Sequence, residues 1–161
     1  MLVVQDDCAL LAQRLVEEFR AKGVSLATAE SCTGGLICHL ITNVAGSSDV
    51  LMGGCVVYSN AAKENFLGVS PRILDGDGAV SEACVLAMAD GVRKRFACDY
   101  GIAVSGIAGP GGGSEAKPVG TVWLALADEK GTEARLFHFP HERLGNKWAS
   151  AYEALQWLMM E

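Results

Sequence analysis

Two short segments of this chain place reactive side chains where strands would end and helices begin. Thr28-Ala29-Glu30-Ser31-Cys32-Thr33-Gly34-Gly35 sets a hydroxyl beside a thiol, and Tyr58-Ser59-Asn60-Ala61-Ala62-Lys63 supplies a phenol and an amine. A serine hydroxyl is a weak nucleophile until a base takes its proton, and a lysine becomes such a base once its pKa is lowered. Lys63 falls in the first turn of a short predicted helix, where the positive end of the macrodipole opposes the ammonium form. Desolvation would lower its pKa further. Ser31 activated by Lys63 is the chemistry these segments suggest. Each residue also has a plainer use, Ser31 or Thr33 as a helix N-cap and Lys63 as a solvated surface group.

Other groups extend the candidate site. The backbone N–H groups of Thr33, Gly34 and Gly35 open a predicted helix, so they have no intrahelical acceptor and could hold a phosphate or an oxyanion. Cys32 is a rival nucleophile, because a thiol at a helix N-terminus gains acidity. Its nearest histidine, His39, lies about two helical turns on, too far to assist it directly. The stretch Gly106-Ile107-Ala108-Gly109-Pro110-Gly111-Gly112-Gly113-Ser114 matches neither a Walker loop nor a dinucleotide fingerprint. Its glycines do let backbone approach a ligand closely. Ser105 precedes it with a hydroxyl suited to a phosphate, and Lys117 and Arg143 are candidate anion partners.

The elements that must position these groups alternate in type. A helix after Asp6 or Asp7 shows Leu11, Leu15 and Phe19 on one face and stops at Gly23. A strand follows from Val24 to Ala29, then a helix from Thr33 to about Val44, then a strand from Gly53 to Ser59 rich in β formers. Ser59 or Asn60 caps a short helix ending near Gly68, and Ser70-Pro71 opens one further turn. Ser81 caps a helix whose inner face is Cys84, Val85, Met88, Val92 and Phe96. Tyr100 to Ser105 is a continuous apolar run, predicted as a central strand buried on both faces. Gly120 to Ala127 and Glu133 to Phe139 read as a hairpin, and a last helix after His141 presents Trp148, Ala151, Tyr152, Leu155 and Leu158 inward. This order implies one three-layer α/β/α domain over residues 1–161, with a mixed sheet and the ligand site at the strand ends.

Composition narrows the classes. At 161 residues the chain supports one full hydrophobic core. With half its residues apolar and a fifth charged, it reads as a globular chain and not a disordered one. A net charge of −6 argues against a nucleic-acid partner, though local basic groups can hold a small anion. No apolar run reaches the roughly 18 residues of a membrane helix, and the first residues lack a basic signal-peptide start. A cytoplasmic location with no membrane partner is expected. The six cysteines form no C-x-x-C pair and the three histidines no metal-binding motif, so no metal site and no cofactor is expected.

Five motifs occur in a fixed order: the 28–35 and 58–63 segments, Gly78-Ala79-Val80-Ser81, the 106–113 glycine loop, and Lys117-Pro118-Val119-Gly120-Thr121-Val122. From about Leu10 to Leu158 the chain resembles the CinA C-terminal domain family, the bacterial nicotinamide mononucleotide deamidases. The resemblance implies an amidohydrolase that converts nicotinamide mononucleotide and water to nicotinic acid mononucleotide and ammonia. It implies Ser31 as nucleophile, Lys63 as general base and Tyr58 as proton relay or orienting group. Glu30, Thr33, Gly34, Gly35, Ser105, Gly106, Gly109, Gly111, Arg143 and Lys147 are the expected substrate-binding positions. A homo-oligomer is the family's precedent, with Trp123, Trp148 and Trp157 as candidates for a self-association face. The tail departs from the family pattern. Where relatives carry two arginines four positions apart, Arg143 holds the first place and Lys147 the second, which keeps the charge and loses the bidentate fork. Larger CinA proteins add an N-terminal domain resembling molybdopterin-binding proteins. No such segment is in this sequence, and that domain's activity is not expected here. The alternatives are a binding module of the same fold without turnover, and a cysteine hydrolase using Cys32.

Overall fold

The computed structural model describes residues 5–161. Helix α1 (Gln5–Lys22) buries Cys8, Ala12, Leu15, Val16 and Phe19, a three-and-four spacing that makes one apolar stripe. Asp6 and Asp7 lie in its first turn and Arg20 and Lys22 in its last, each complementing the helix dipole. Strand β1 (Leu26–Glu30) follows, then α2 (Leu36–Thr42), a 3-10 turn (Ser47–Asp49), β2 (Leu51–Val56) and α3 (Asn60–Leu67). The chain continues through α4 (Pro71–Asp75), α5 (Glu82–Phe96), β3 (Tyr100–Gly106), β4 (Thr121–Ala127), β5 (Thr132–His138) and α6 (Arg143–Leu158).

The five strands form one mixed sheet in the order β2-β1-β3-β4-β5. β1 runs parallel to both β2 and β3, while β4 and β5 return antiparallel as a hairpin. Helices cover both faces. One core cluster joins Leu26, Ile102, Val104, Val122, Leu124 and Leu126 to α1, α2 and α6. The opposite cluster joins Ala27, Ala29, Ala103, Ala125 and Ala127 to α5. The alternation of large and small residues is the period of the pleat, and the small side lets α5 lie close. At Gly101 a Cβ would meet the Ala89 carbonyl and the Arg93 side chain, so only glycine allows that approach. The predicted three-layer α/β architecture is the observed one.

Several predicted details shift. The helix expected from Thr33 begins at Leu36, because residues 31–35 form a turn with Gly34 at φ 64° and Gly35 at φ 96°. β2 ends at Val56, short of the predicted Ser59, and the Val57 amide adds one last bond to the Glu30 carbonyl at 2.9 Å. Ser59, and not Asn60, caps α3, its hydroxyl accepting from the Ala62 amide at 3.1 Å. Trp157 cannot belong to a surface face, since it is buried with the Arg135 guanidinium 3.9 Å above its ring. Among the described residues no helix is long and apolar enough to cross a membrane.

The topology gathers the chemistry at one edge. Parallel β1, β2 and β3 all end on the same side, at Glu30, Val56 and Gly106. Because β4 starts and β5 ends there, the glycine loop and the start of α6 arrive at that edge as well. This is the edge at which open α/β sheets bind ligands.

Candidate active site

Ser31 follows the last residue of β1, and its amide donates to the Val104 carbonyl at 3.0 Å, extending the central pairing by one bond. Lys63 reaches it from α3. The lysine is 1% exposed, and its Nζ lies 3.1 Å from Ser31 Oγ, 2.9 Å from the Val57 carbonyl and 3.2 Å from the Tyr58 carbonyl. Three acceptors match the three N–H bonds of an ammonium. Once that group gives up a proton, the two carbonyls can keep its two N–H bonds and its lone pair is free to accept from the serine hydroxyl. Burial lowers the Lys63 pKa from its ordinary 10.5, against smaller opposing effects of the Cys84 and Cys32 thiols. A buried amine with this geometry is equipped to take the proton of Ser31.

The pair lies in a cleft of about 280 Å³ that is also lined by Tyr58, Ser105, Gly106, Gly109, Gly111 and Arg143. Two larger hollows of about 410 and 490 Å³ exist elsewhere. Neither is lined by any buried polar or charged side chain, whereas the cleft has Ser31, Lys63 and Ser105. Volume alone therefore does not mark the site.

Arg143, the first residue of α6, spans the cleft mouth. It donates to the Gly109 carbonyl at 2.7 Å and to the Tyr58 hydroxyl at 3.2 Å, tying the glycine loop to the exit of β2. Tyr58 is 61% exposed. Among the described residues its hydroxyl has no bond to Ser31 or Lys63, so the expected proton relay has no hydrogen-bonded path through the phenol. Its direct service to the pair is its main-chain carbonyl. Ser105 is buried and donates to the Ala79 carbonyl at 2.7 Å, which leaves its lone pairs for the cleft.

Five expected substrate contacts lie outside the cleft lining: Glu30, Thr33, Gly34, Gly35 and Lys147. Glu30 is 1% exposed, and its carboxylate accepts from the Thr33 hydroxyl and from the amides of Gly35, Ile37 and Cys38. The chain's own carboxylate thus fills the anion position at the start of α2. The Gly34 amide donates to the Ser31 carbonyl at 3.1 Å, so of the three amides expected to hold an anion, two are already bonded. Lys147 lies beside the turn, where its Nζ would be 3.8 Å from a Cβ at Gly34.

Cys32 lines the cleft, yet burial pushes its thiol up to about 12, and the charge of Glu30 adds to the rise. His39 is exposed and bonded to Asn43. A thiolate mechanism therefore lacks a ready thiolate, and His39 is not placed to supply one.

Sequence reasoning missed Asn146, Ala79 and Val80. Asn146 is 1% exposed, accepts from the His141 amide at 3.1 Å and donates to the Ala108 carbonyl at 3.0 Å, anchoring the glycine loop to α6. Asn146 lies opposite the predicted inner stripe of α6, so the helical periodicity gave no signal for it. Ala79 and Val80 line the cleft without reactive groups, which left no signal beyond their motif. Among the described residues no group of three or more His, Cys, Asp or Glu side chains could hold a metal ion.

Fold and site together define a three-layer α/β domain with a buried hydroxyl–amine pair at the carboxyl ends of its parallel strands. Residues 9–161 match the family model of the CinA C-terminal domain, and the chain belongs to that family. A CinA-like protein of Geobacter sulfurreducens is 52% identical over 140 residues, 87% of this chain and 34% of that protein. One from a Synechococcus species is 51% identical over 138 residues, 86% of this chain and 32% of that protein. The chain thus spans about a third of the length of the curated relatives it matches. The crystal structure of competence/damage inducible protein CihA from Agrobacterium tumefaciens superposes with a TM-score of 0.94 at 41% identity, covering 99% of this chain and 98% of that one. A CinA superfamily protein of Escherichia coli gives 0.92 at 30% identity, covering 99% and 93%.

Proposed function

We propose that this chain is a serine amidohydrolase that converts nicotinamide mononucleotide and water to nicotinic acid mononucleotide and ammonia. The observation that carries the reaction class is the buried Lys63 amine, with two carbonyl acceptors and Ser31 Oγ at 3.1 Å. The substrate comes from the family resemblance, and the cleft supports it with an arginine at the mouth for an anion and glycine backbone along one wall.

In this reading Lys63 accepts the hydroxyl proton as Ser31 Oγ bonds to the amide carbon. Collapse of the tetrahedral adduct breaks the C–N bond, and Lys63 returns the proton to the departing ammonia. A water molecule then gives a proton to Lys63 and attacks the Ser31 ester. Collapse of this second adduct frees the serine and leaves the product acid. Arg143 and the glycine loop position the nucleotide, and the activity resides in one domain spanning residues 1–161.

The direct test is ammonia release from nicotinamide mononucleotide by the wild type, Ser31→Ala and Lys63→Ala. Release that both substitutions abolish in folded protein supports the proposal. A folded wild type that binds the nucleotide, shown by a raised melting temperature, and releases no ammonia would make the chain a binding module.

A further inference from the structure

We infer that Glu30 is a positioning residue for the reacting pair, referencing both Ser31 and Lys63 to the end of β1. The inference rests on the serine–lysine reading above. Two separate sets of bonds carry it. Through its side chain, Oε2 accepts from the Thr33 hydroxyl at 2.6 Å, the Gly35 amide at 3.0 Å and the Ile37 amide at 3.1 Å. Oε1 accepts from the Cys38 amide at 2.8 Å. One carboxylate thus gathers the turn that carries Ser31 and the first turn of α2.

Through its main chain, the Glu30 carbonyl accepts from the Val57 amide at 2.9 Å. Val57 and Tyr58 then present the two carbonyls that hold Lys63 Nζ. The nucleophile is therefore fixed from the side chain of residue 30, and the base from its backbone. Among the described residues no salt bridge reaches Glu30, so its four hydrogen bonds replace a counter-ion. Only a carboxylate suits this position. Glutamine keeps one acceptor oxygen and turns an NH₂ group toward a remaining donor. Gly34 and Gly35, both at positive φ, let the chain wrap back so that these donors converge.

The test compares wild type, Glu30→Gln and Glu30→Ala as full chains, each checked for folding by circular dichroism. Two readouts run in parallel: steady-state ammonia release from nicotinamide mononucleotide, and the rate at which a fluorophosphonate probe labels Ser31. Misplacement of the nucleophile is expected to lower kcat by about 100-fold in Glu30→Gln, with KM little changed and the labelling rate falling in step. Added formate, a free carboxylate, should partly restore turnover and labelling in Glu30→Ala. A folded Glu30→Gln that labels and turns over at the wild-type rate would overturn the inference, as would a folded Glu30→Ala that formate leaves unchanged. A wild type that labels at Ser31 and releases no ammonia would sink the proposed substrate alone, and labelling would still decide the role of Glu30. A wild type that does neither would remove the serine reading and this inference with it.

Discussion

The two strand-to-helix junctions of the cleft are built in opposite ways. At the first, between β1 and α2, Glu30, Ser31, Cys32 and Thr33 are all buried, and the start of the helix is satisfied by a carboxylate lying before it in sequence. At the second, between β2 and α3, Tyr58, Ser59 and Asn60 face solvent, the cap is a single serine hydroxyl, and only Lys63 turns inward. The first junction holds the segment around Ser31 by many hydrogen bonds. The second holds Lys63 by burial and two main-chain carbonyls. Hydrogen-bonded scaffolds resist displacement, whereas burial chiefly changes the chemistry of what it encloses. One junction sets a position, and the other sets a pKa.

Substitutions can break this contrast in graded steps. Ser31→Ala should cost about 10⁴-fold or more in kcat, the usual scale for loss of a nucleophile, in a protein that still folds. Lys63→Ala should cost about 10²–10⁴-fold, and Lys63→Arg should not recover it, because guanidinium does not give up its proton. Single-turnover assays of acyl-enzyme formation would show both defects in the first step. Rates that survive either change would remove the pair from the mechanism.

The pH profile sharpens the role of burial. If Lys63 acts as a base, kcat/KM rises with pH, with a midpoint below the ordinary 10.5 of a lysine. The sign for stability follows from the same shift. Between the lowered value and 10.5 the unfolded chain binds more protons than the folded one, so stability increases with pH across that window. The gain is lost as pH falls through the lowered value. Urea midpoints of wild type and Lys63→Met against pH should differ in slope there, and parallel curves would mean the amine is not desolvated.

Smaller effects belong to the exposed side of the second junction. Arg143→Ala removes both bonds across the mouth and should raise KM about tenfold with a modest change in kcat, the scale of one charge-assisted contact. Tyr58→Phe keeps the carbonyl that holds Lys63, so it should cost under ~1.5 kcal/mol in kcat/KM. A far greater loss would return the phenol to proton transfer. Ser59→Ala should lower stability by about 1 kcal/mol through the lost cap, read as a melting shift with little change in kcat.

Much of this was legible in local chemistry. Ser59, Ser70 and Ser81 cap helices because a short hydroxyl before a helix accepts from its first amides, a relation needing only adjacent residues. The run from Tyr100 became the central strand because continuous apolar sequence needs cover on both faces. Ser31 and Lys63 stood out for the same reason, since each reactive type sits beside a strand end. The structure turns Glu30 inward onto the start of α2, where the sequence alone suggests a substrate contact. Its partners extend to residue 38, and the positive φ of Gly34 and Gly35, which makes those amides converge, takes shape only in the folded turn.

What the sequence by itself determined is the order of elements, the caps, the pleat alternation and the candidates for the reacting groups, all consequences of side-chain type and near neighbours. Only the tertiary structure decided that Lys63 loses its water and meets Ser31, 32 positions away in the chain. It also decided that Asn146 holds the glycine loop, that Trp157 is buried beneath Arg135, and that Lys147 stands outside the cleft. The reason is physical: desolvation and long-range hydrogen bonds depend on what the rest of the chain packs against a group, and no local pattern encodes that.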